Sequence, residues 1–103
     1  MTAWYTVPEQ PVRPGETWTV TAYARGTAAA GTNEVALSWF DGSGRWLGNT
    51  ASNLLRPEQP GWQLLTVNGQ APTGARAVQI HLQSEGNPGA VAFSDVSWRV
   101  SAS

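Results

Sequence analysis

The segment 75–86, ARAVQIHLQSEG, alternates between apolar and polar side chains, and this alternation constrains the fold more than any other feature of the chain. Successive side chains of an extended strand point to opposite faces, so Val78, Ile80 and Leu82 share one face. The other face carries polar side chains, including the single histidine of the chain. The segment therefore predicts a β-strand with one face against a core and one face directed outward.

The same period of two recurs along the chain, whereas helical periodicity is almost absent. Eleven glycines and seven prolines interrupt short runs that are rich in Thr, Val and Trp. The further predicted strands are residues 17–25, 34–40, 45–52, 62–70 and 90–100, with an extended edge segment over 7–16 that ends in a tight turn at Pro14 and Gly15. The DGSG sequence at 41–44 predicts a hairpin turn, because Asp and Gly favour tight turns. A change of parity between Phe93 and Val96 predicts a bulge near Ser94 and Asp95.

Six or seven short strands separated by turn signals predict an all-β fold, a two-sheet antiparallel β-sandwich of jelly-roll type. At 103 residues the chain is long enough for one core, which predicts a single domain over residues 1–103. The parity of Trp18, Trp39 and Trp98 places their side chains on the core side of their strands.

The composition removes several classes of site. The chain has no cysteine, so disulfides, thiolate catalysis and the usual structural zinc sites are excluded. One histidine cannot build a two-histidine metal motif. Six of the ten aromatic residues are tryptophan, more than a core of this size needs, which favours aromatic contact surfaces outside the core.

The charge pattern disfavours nucleic acid and membrane partners. Charged residues make up 13% of the chain and show no basic stripe for a phosphate backbone. The apolar runs are far shorter than the ~20 residues that cross a bilayer. We expect a secreted or extracellular domain that forms part of a larger protein, or a domain on a virion surface.

Four segments in order carry a resemblance to a known family: PGETWTVTAYARG at 14–26, LSWFDGSG at 37–44, GWQLLTVNGQAPTGARAVQIHL at 61–82 and AVAFSDVSWRV at 90–100. Together they resemble the jelly-roll carbohydrate-binding modules that are appended to xylanases, glucanases and other polysaccharide enzymes and also occur in phage tail proteins. The resemblance covers residues 7–100. It implies non-catalytic binding of a polysaccharide or oligosaccharide on the concave outer face of one sheet.

Aromatic platforms and hydrogen-bonding side chains are the groups that such a face needs, because sugars present apolar C–H faces and many hydroxyls. The residues predicted to bind the glycan are Tyr23, Arg25, Trp46, Gln79, His81 and Gln83. Two structural alternatives remain open. Tyr23 could be a half-buried strand aromatic that packs under a loop. Gln79, His81 and Gln83 could simply lie on the solvated side of a sheet.

The chain departs from the family pattern at two places. Such modules begin with one or more further strands before the Pro-Gly turn, whereas only residues 1–7 precede that region here. Their last strand carries two consecutive aspartates, one of which helps to hold a structural calcium ion. Ser94 and Asp95 occupy those positions here, so the resemblance assigns a structural calcium to Asp95 alone.

Two other functions compete with glycan binding. A structural or adhesive component of a virion or other assembly would use the sandwich for subunit contacts. Self-association or a neighbouring domain would then meet the N-terminal edge, where Trp4 and Tyr5 lie. A small enzyme has less support, because no pair of carboxylates has the sequence context of a glycosidase and His81 lacks a nucleophile elbow. We therefore expect no catalytic residue.

Overall fold

The computed structural model describes residues 3–27, 31–56, 61–86 and 90–102, with the backbone alone for residues 3, 4 and 27. These residues form seven β-strands. The strands are β1 (Ala3–Pro11), β2 (Thr17–Thr27), β3 (Thr32–Asp41), β4 (Trp46–Ala51), β5 (Gln63–Gln70), β6 (Ala75–Glu85) and β7 (Ala90–Ser101). The prediction of a two-sheet antiparallel β-sandwich is confirmed.

The strands divide between two antiparallel sheets. One sheet has four strands in the order β1-β6-β3-β4, and the other has three in the order β5-β2-β7. The strand predicted from the alternation at 75–86 is β6, which lies inside the four-stranded sheet between β1 and β3. The next strand in sequence, β7, belongs to the other sheet and pairs with β2.

The core lies between the sheets and consists of the side chains that point inward from each strand. The fully buried aliphatic side chains are Val20, Val35, Leu37, Leu65, Val67, Val78 and Ile80. Each contributes roughly 1.5–3 kcal/mol on burial. Gly69 of β5 faces this core, where an added Cβ would lie 2.9 Å from Leu37 Cδ1 and 2.9 Å from Trp39 Cζ2. The missing side chain at Gly69 therefore leaves room for Leu37 and Trp39 of the opposite sheet.

The predicted turns and bulge are present. Gly15 has φ 88°, a left-handed conformation that glycine adopts without strain, and the Glu16 amide donates to Arg13 O. The Asp41 carboxylate accepts hydrogen bonds from the Ser43 hydroxyl at 2.7 Å and from the Arg45 amide at 2.9 Å. These bonds lower the pKa of Asp41, and the bond from the Ser43 hydroxyl contributes most to the lowering. Asp95 has φ 53° at a register shift between β2 and β7, which confirms the bulge.

The prediction that three tryptophans are buried is right for two of them. Trp18 and Trp39 are buried in the core, whereas the Trp98 side chain is 38% exposed. Trp98 pairs with Val20 and so shares the inner face, but β7 is the edge of its sheet. Its inner face therefore lies at the open side of the sandwich, where Val100 is also exposed.

Candidate functional site

The six residues predicted to bind a glycan do not share one face. Gln79, His81 and Gln83 lie on β6 of the four-stranded sheet, whereas Tyr23 and Arg25 lie on β2 of the three-stranded sheet. Both groups point away from the core, so they occupy opposite outer surfaces of the sandwich. The prediction of a single groove that holds Tyr23 beside His81 is therefore wrong, because β2 and β6 belong to different sheets. Trp46, on β4, joins the His81 group.

A chain of hydrogen bonds crosses the outer face of the four-stranded sheet, from one edge strand to the other. Thr6 Oγ1 lies 2.9 Å from His81 Nδ1, and His81 Nε2 lies 3.0 Å from Ser38 Oγ. Ser38 Oγ donates to Asn49 Oδ1 at 2.8 Å, and Trp46 Nε1 donates to the same oxygen at 2.9 Å. We call these five residues the polar row. It has one member on each of β1, β6 and β3, and two on β4.

The donors and acceptors of the polar row fix the tautomer of His81. The amide oxygen of Asn49 can only accept, so the Ser38 hydroxyl proton points to Asn49. The Ser38 oxygen then accepts from His81 Nε2–H, and His81 Nδ1 accepts from the Thr6 hydroxyl. A neutral imidazole satisfies both neighbours in this arrangement.

His81 lies on the outer face and is nevertheless only 7% exposed. Its burial lowers the pKa of the imidazole from the ordinary 6.5, which favours the neutral form. Gln83 is also buried. The side chains of His81 and Gln83 therefore point to the outer face of the sheet, as the alternative of a solvated sheet side requires, but they are not exposed to solvent. The polar atoms of His81 are engaged with Thr6 and Ser38, so His81 orients its neighbours.

The groups of the polar row that face solvent lie at its β4 end. The Trp46 ring is 58% exposed while its Nε1–H is held by Asn49 Oδ1, which fixes the plane of the indole. Asn49 is exposed, and within the described ranges its Nδ2 group has no acceptor. Gln79 is half-buried and lies in register with Ser38, which itself pairs with Asn49. Trp46 and Asn49 therefore present a ring and an amide on β4, and Gln79 presents a second amide on β6, with β3 between the two strands.

The other end of this face is acidic. Gln83 Nε2 donates to Glu34 Oε1 at 3.0 Å across the β6 and β3 pair. Partial burial, and to a lesser extent the Glu85 carboxylate, raise the pKa of Glu34. Glu34 lies six residues before Phe40 on β3, which corresponds to about 20 Å along the strand. Phe40 pairs with Trp46, so the carboxylates and the exposed indole lie at opposite ends of the face.

Tyr23 and Arg25 form a separate surface with residues of β5 and of the segment before it. The Arg25 guanidinium lies 4.8 Å from the centroid of the Trp62 ring, which is 44% exposed. Tyr23 pairs with Leu64, and both are exposed. Among the described residues, this aromatic surface has no chain of side-chain hydrogen bonds like that of the four-stranded sheet.

The structure does not provide a carboxylate set for calcium at Asp95. Within residues 3–27, 31–56, 61–86 and 90–102, no group of three His, Asp or Glu side chains is arranged to hold a metal ion. Calcium takes six to eight oxygen ligands, and the exposed Asp95 offers one carboxylate at a bulge of an edge strand. The described residues do not fit the ion that the resemblance implies. The same part of the chain contains no helix of the length and apolarity that crosses a membrane.

The sequence patterns did not single out four residues of this face: Thr6, Glu34, Ser38 and Asn49. Ser38 and Glu34 alternate outward in β3, and that pattern is visible in EVALSWF at 34–40. Their partners follow only from the order of the strands, which brings β1 and β3 to the two sides of β6. The Trp4 side chain, an expected contact at the N-terminal edge, lies outside the described residues.

Neither the protein-family models nor the curated proteins contain a match to this chain. Among solved structures, the chain is similar to the enzymatically active domain of tailspike protein 4 from bacteriophage CBA120. The TM-score is 0.73 at 15% sequence identity, and the match covers 97% of this chain. The chain spans 14% of the length of that tailspike chain, and the likeness supports the fold.

Proposed function

We propose that this domain is a non-catalytic carbohydrate-binding module and that it binds a glycan on the outer face of the four-stranded sheet. The observation that carries the proposal is the exposed Trp46 ring, fixed by Asn49 at the end of a hydrogen-bond chain that crosses all four strands. A platform that is fixed before binding loses little conformational freedom on binding. This is the geometry that a weakly interacting, hydroxyl-rich ligand requires.

The chemistry of the face matches a pyranose. The apolar C–H face of a sugar ring stacks on the Trp46 indole, and the Asn49 Nδ2 group, which has no acceptor among the described residues, donates to a hydroxyl beside it. The Gln79 amide supplies a donor and an acceptor on β6, on the far side of β3 from Trp46 and Asn49. His81 and Gln83 belong to the site as positioning residues, because their partners are Ser38, Thr6 and Glu34.

The charges favour an uncharged glycan. A chain that runs from Trp46 along β3 approaches Glu34 and Glu85 after about 20 Å. His81 is neutral and offers no compensating charge. A polyanionic glycan would meet like charge at that end, so the proposed ligand is a neutral polysaccharide or oligosaccharide.

The same distance argues for binding without hydrolysis. A sugar that stacks on Trp46 lies far from Glu34 and Glu85, whereas glycoside hydrolysis needs two carboxylates that flank the scissile bond. Contacts of about 1 kcal/mol each give micromolar to millimolar affinity, which suits a targeting module of a larger extracellular or virion-associated protein that relies on avidity. Similarity to part of a phage tailspike supports this setting.

Electrophoresis through gels that contain a neutral soluble polysaccharide tests the proposal. The wild-type chain is expected to be retarded by at least one such polymer and not to release reducing ends from it. Trp46→Ala should lose most of the retardation, about tenfold or more in affinity, because it removes the stacking platform.

Trp62→Ala is the matched control, since Trp62 is also exposed but lies on the opposite sheet. It should be retarded like the wild type. Absence of retardation by every neutral polymer, or equal loss in both variants, would contradict the proposal.

The second candidate function is an assembly component, and a specific observation favours it. Tyr5 pairs with Leu82, so its side chain points to the core side, yet it is 64% exposed at the N-terminal edge. An apolar ring on the inner side of an edge strand is available to a neighbouring subunit or domain. A chain that binds no glycan but sediments as an oligomer that Tyr5→Ser disrupts would favour this candidate.

A further inference from the structure

The four edges of the two sheets differ in how they are protected against pairing with another chain. β1 contains Pro8 and Pro11, which lack backbone donors, and its register shifts between Val7 and Gln10. β4 is six residues long. Short strands, prolines and irregular register all weaken a strand as a template for further pairing. Both edges of the four-stranded sheet are therefore protected.

The β5 edge of the three-stranded sheet is covered by the chain itself. Asn53 Oδ1 accepts from the Thr66 amide at 3.0 Å, and Asn53 Nδ2 donates to Leu64 O at 3.3 Å. One asparagine thus satisfies an amide and a carbonyl on the free edge of β5. Gln63 anchors the same loop through Leu54 O at 3.0 Å.

The β7 edge is protected only by the bulge at Asp95. Within the described residues it has no proline and no covering loop, and it is not short. It is twelve residues long and pairs with β2 on one side only. The described residues provide no partner for the backbone groups on its other side. Its inner-facing Trp98 and Val100 are exposed as well, whereas Phe93 and Val96 pack against the core, so the C-terminal half of β7 has an uncovered apolar side.

We propose that β7 pairs antiparallel with β7 of a second copy of this chain, about a two-fold axis at Ser97, to form a continuous six-stranded sheet. Homodimers with two-fold symmetry are the commonest oligomers, and a strand that pairs with its own copy satisfies that symmetry. In this register Trp98 lies opposite the partner's Val96. Both side chains face the inner side, which covers the exposed indole.

Charge favours this register over the one centred on Arg99. Ser97 pairs with the outward Thr21 and Arg99 pairs with the outward Thr19, so both side chains point to the outer face, and Asp95 is exposed at the bulge. Centring on Ser97 places Asp95 opposite the partner's Arg99 and Arg99 opposite the partner's Asp95. Centring on Arg99 would place two guanidinium groups opposite each other, which is destabilising. The charges of β7 are therefore complementary to those of a second β7 that runs antiparallel to it.

Sedimentation equilibrium over a concentration series tests the pairing with the intact chain. The wild type is expected to form dimers. Asp95→Lys and Arg99→Glu should each weaken the dimer about tenfold or more, because each variant places like charges opposite each other at two symmetric positions. An equimolar mixture of the two variants should dimerise again. In the mixed dimer the two introduced side chains face each other with opposite charge, and the native pair of Asp95 with Arg99 is retained.

The matched controls are Glu9→Lys and Arg56→Glu, which make the same charge changes at exposed positions outside β7. Both should dimerise like the wild type. Restoration in the mixture also shows that each single variant is folded. A monomeric wild type, dimers that neither β7 variant weakens, or a mixture that stays monomeric would overturn the proposal.

Discussion

His81 organises the candidate binding face through two hydrogen bonds. The Ser38 hydroxyl accepts from Nε2–H and the Thr6 hydroxyl donates to Nδ1, so the imidazole links β1, β6 and β3 in its neutral form. Such an arrangement sets the direction of the Ser38 hydroxyl, and with it the amide of Asn49 and the plane of Trp46. The histidine thereby acts on a ligand through its neighbours.

The lowered pKa of His81 predicts a pH dependence of stability. Because burial lowers the folded pKa below 6.5, the unfolded chain takes up the proton first as the pH falls. The contribution of His81 is therefore complete above pH 6.5 and is lost as the pH falls below that value. Thermal unfolding at pH 7 and pH 5 should show a larger loss in the wild type than in His81→Gln. An equal loss in both proteins would contradict the assignment.

Glu34 gives the stability of the domain the opposite pH dependence. Burial and the Glu85 carboxylate raise its folded pKa above 4.5, so its contribution is complete below pH 4.5 and is lost as the pH rises through the folded value. Glu34→Gln should therefore gain thermal stability relative to the wild type between pH 4 and pH 7. A constant difference across that range would show that Glu34 is not perturbed.

Residue patterns predicted the direction of the His81 side chain correctly and missed its burial. Alternation in β6 states which side a residue faces. The exposure of that residue depends on its surroundings in the fold, which include β1 and β3 on its two sides, far away in sequence. Thr6 and Ser38 are visible in the sequence as ordinary hydroxyl residues, and only strand pairing makes them partners of His81.

At the scale of the elements, the contact between the two sheets depends on Gly69 of β5. A methyl group there would lie 2.9 Å from both Leu37 and Trp39, which belong to β3 in the opposite sheet. Gly69→Ala should destabilise the domain by about 1–3 kcal/mol, because a packed core accommodates extra volume only through strain. Urea unfolding measures this change.

Gly61→Ala is the control for that measurement. A Cβ at Gly61 meets nothing within 4 Å, so this variant should unfold within about 0.5 kcal/mol of the wild type. Equal stability of the two variants would mean that the sheets do not meet at Gly69.

Strands β2 to β7 were predictable because each carries its own alternation and is bounded by Pro, Gly or Asp turns. The N-terminal extended segment was expected over 7–16, whereas β1 covers Ala3–Pro11. The assignment of strands to sheets was not predictable. β2 and β6 have the same pattern of apolar and polar residues, yet β2 pairs with β5 and β7 while β6 pairs with β1 and β3. Local sequence does not encode pairing between distant segments, which is why the prediction assigned Tyr23 and His81 to the binding face of one sheet. The bulge at Asp95 was predictable because it changes parity within one strand.

At the scale of the whole molecule, the sandwich presents two outer faces with different chemistry. The four-stranded face carries the polar row, the exposed Trp46 ring and an acidic end, whereas the described part of the three-stranded face carries Tyr23, Trp62 and Arg25. The proposed dimer extends the three-stranded sheet through its β7 edge and leaves the four-stranded faces free. Two copies would then offer two glycan sites, which raises avidity for a repeating polymer.

Amide chemical-shift mapping by NMR tests the central claim most directly, with the neutral oligosaccharide whose polymer retards the domain. Titration is expected to shift the amides and the indole signal of Trp46, and the side-chain amides of Asn49 and Gln79. The amides around Tyr23 and Leu64 should stay in place. Shifts concentrated at Tyr23, Trp62 and Leu64, with the polar row unchanged, would contradict the proposed site and place the ligand on the three-stranded sheet.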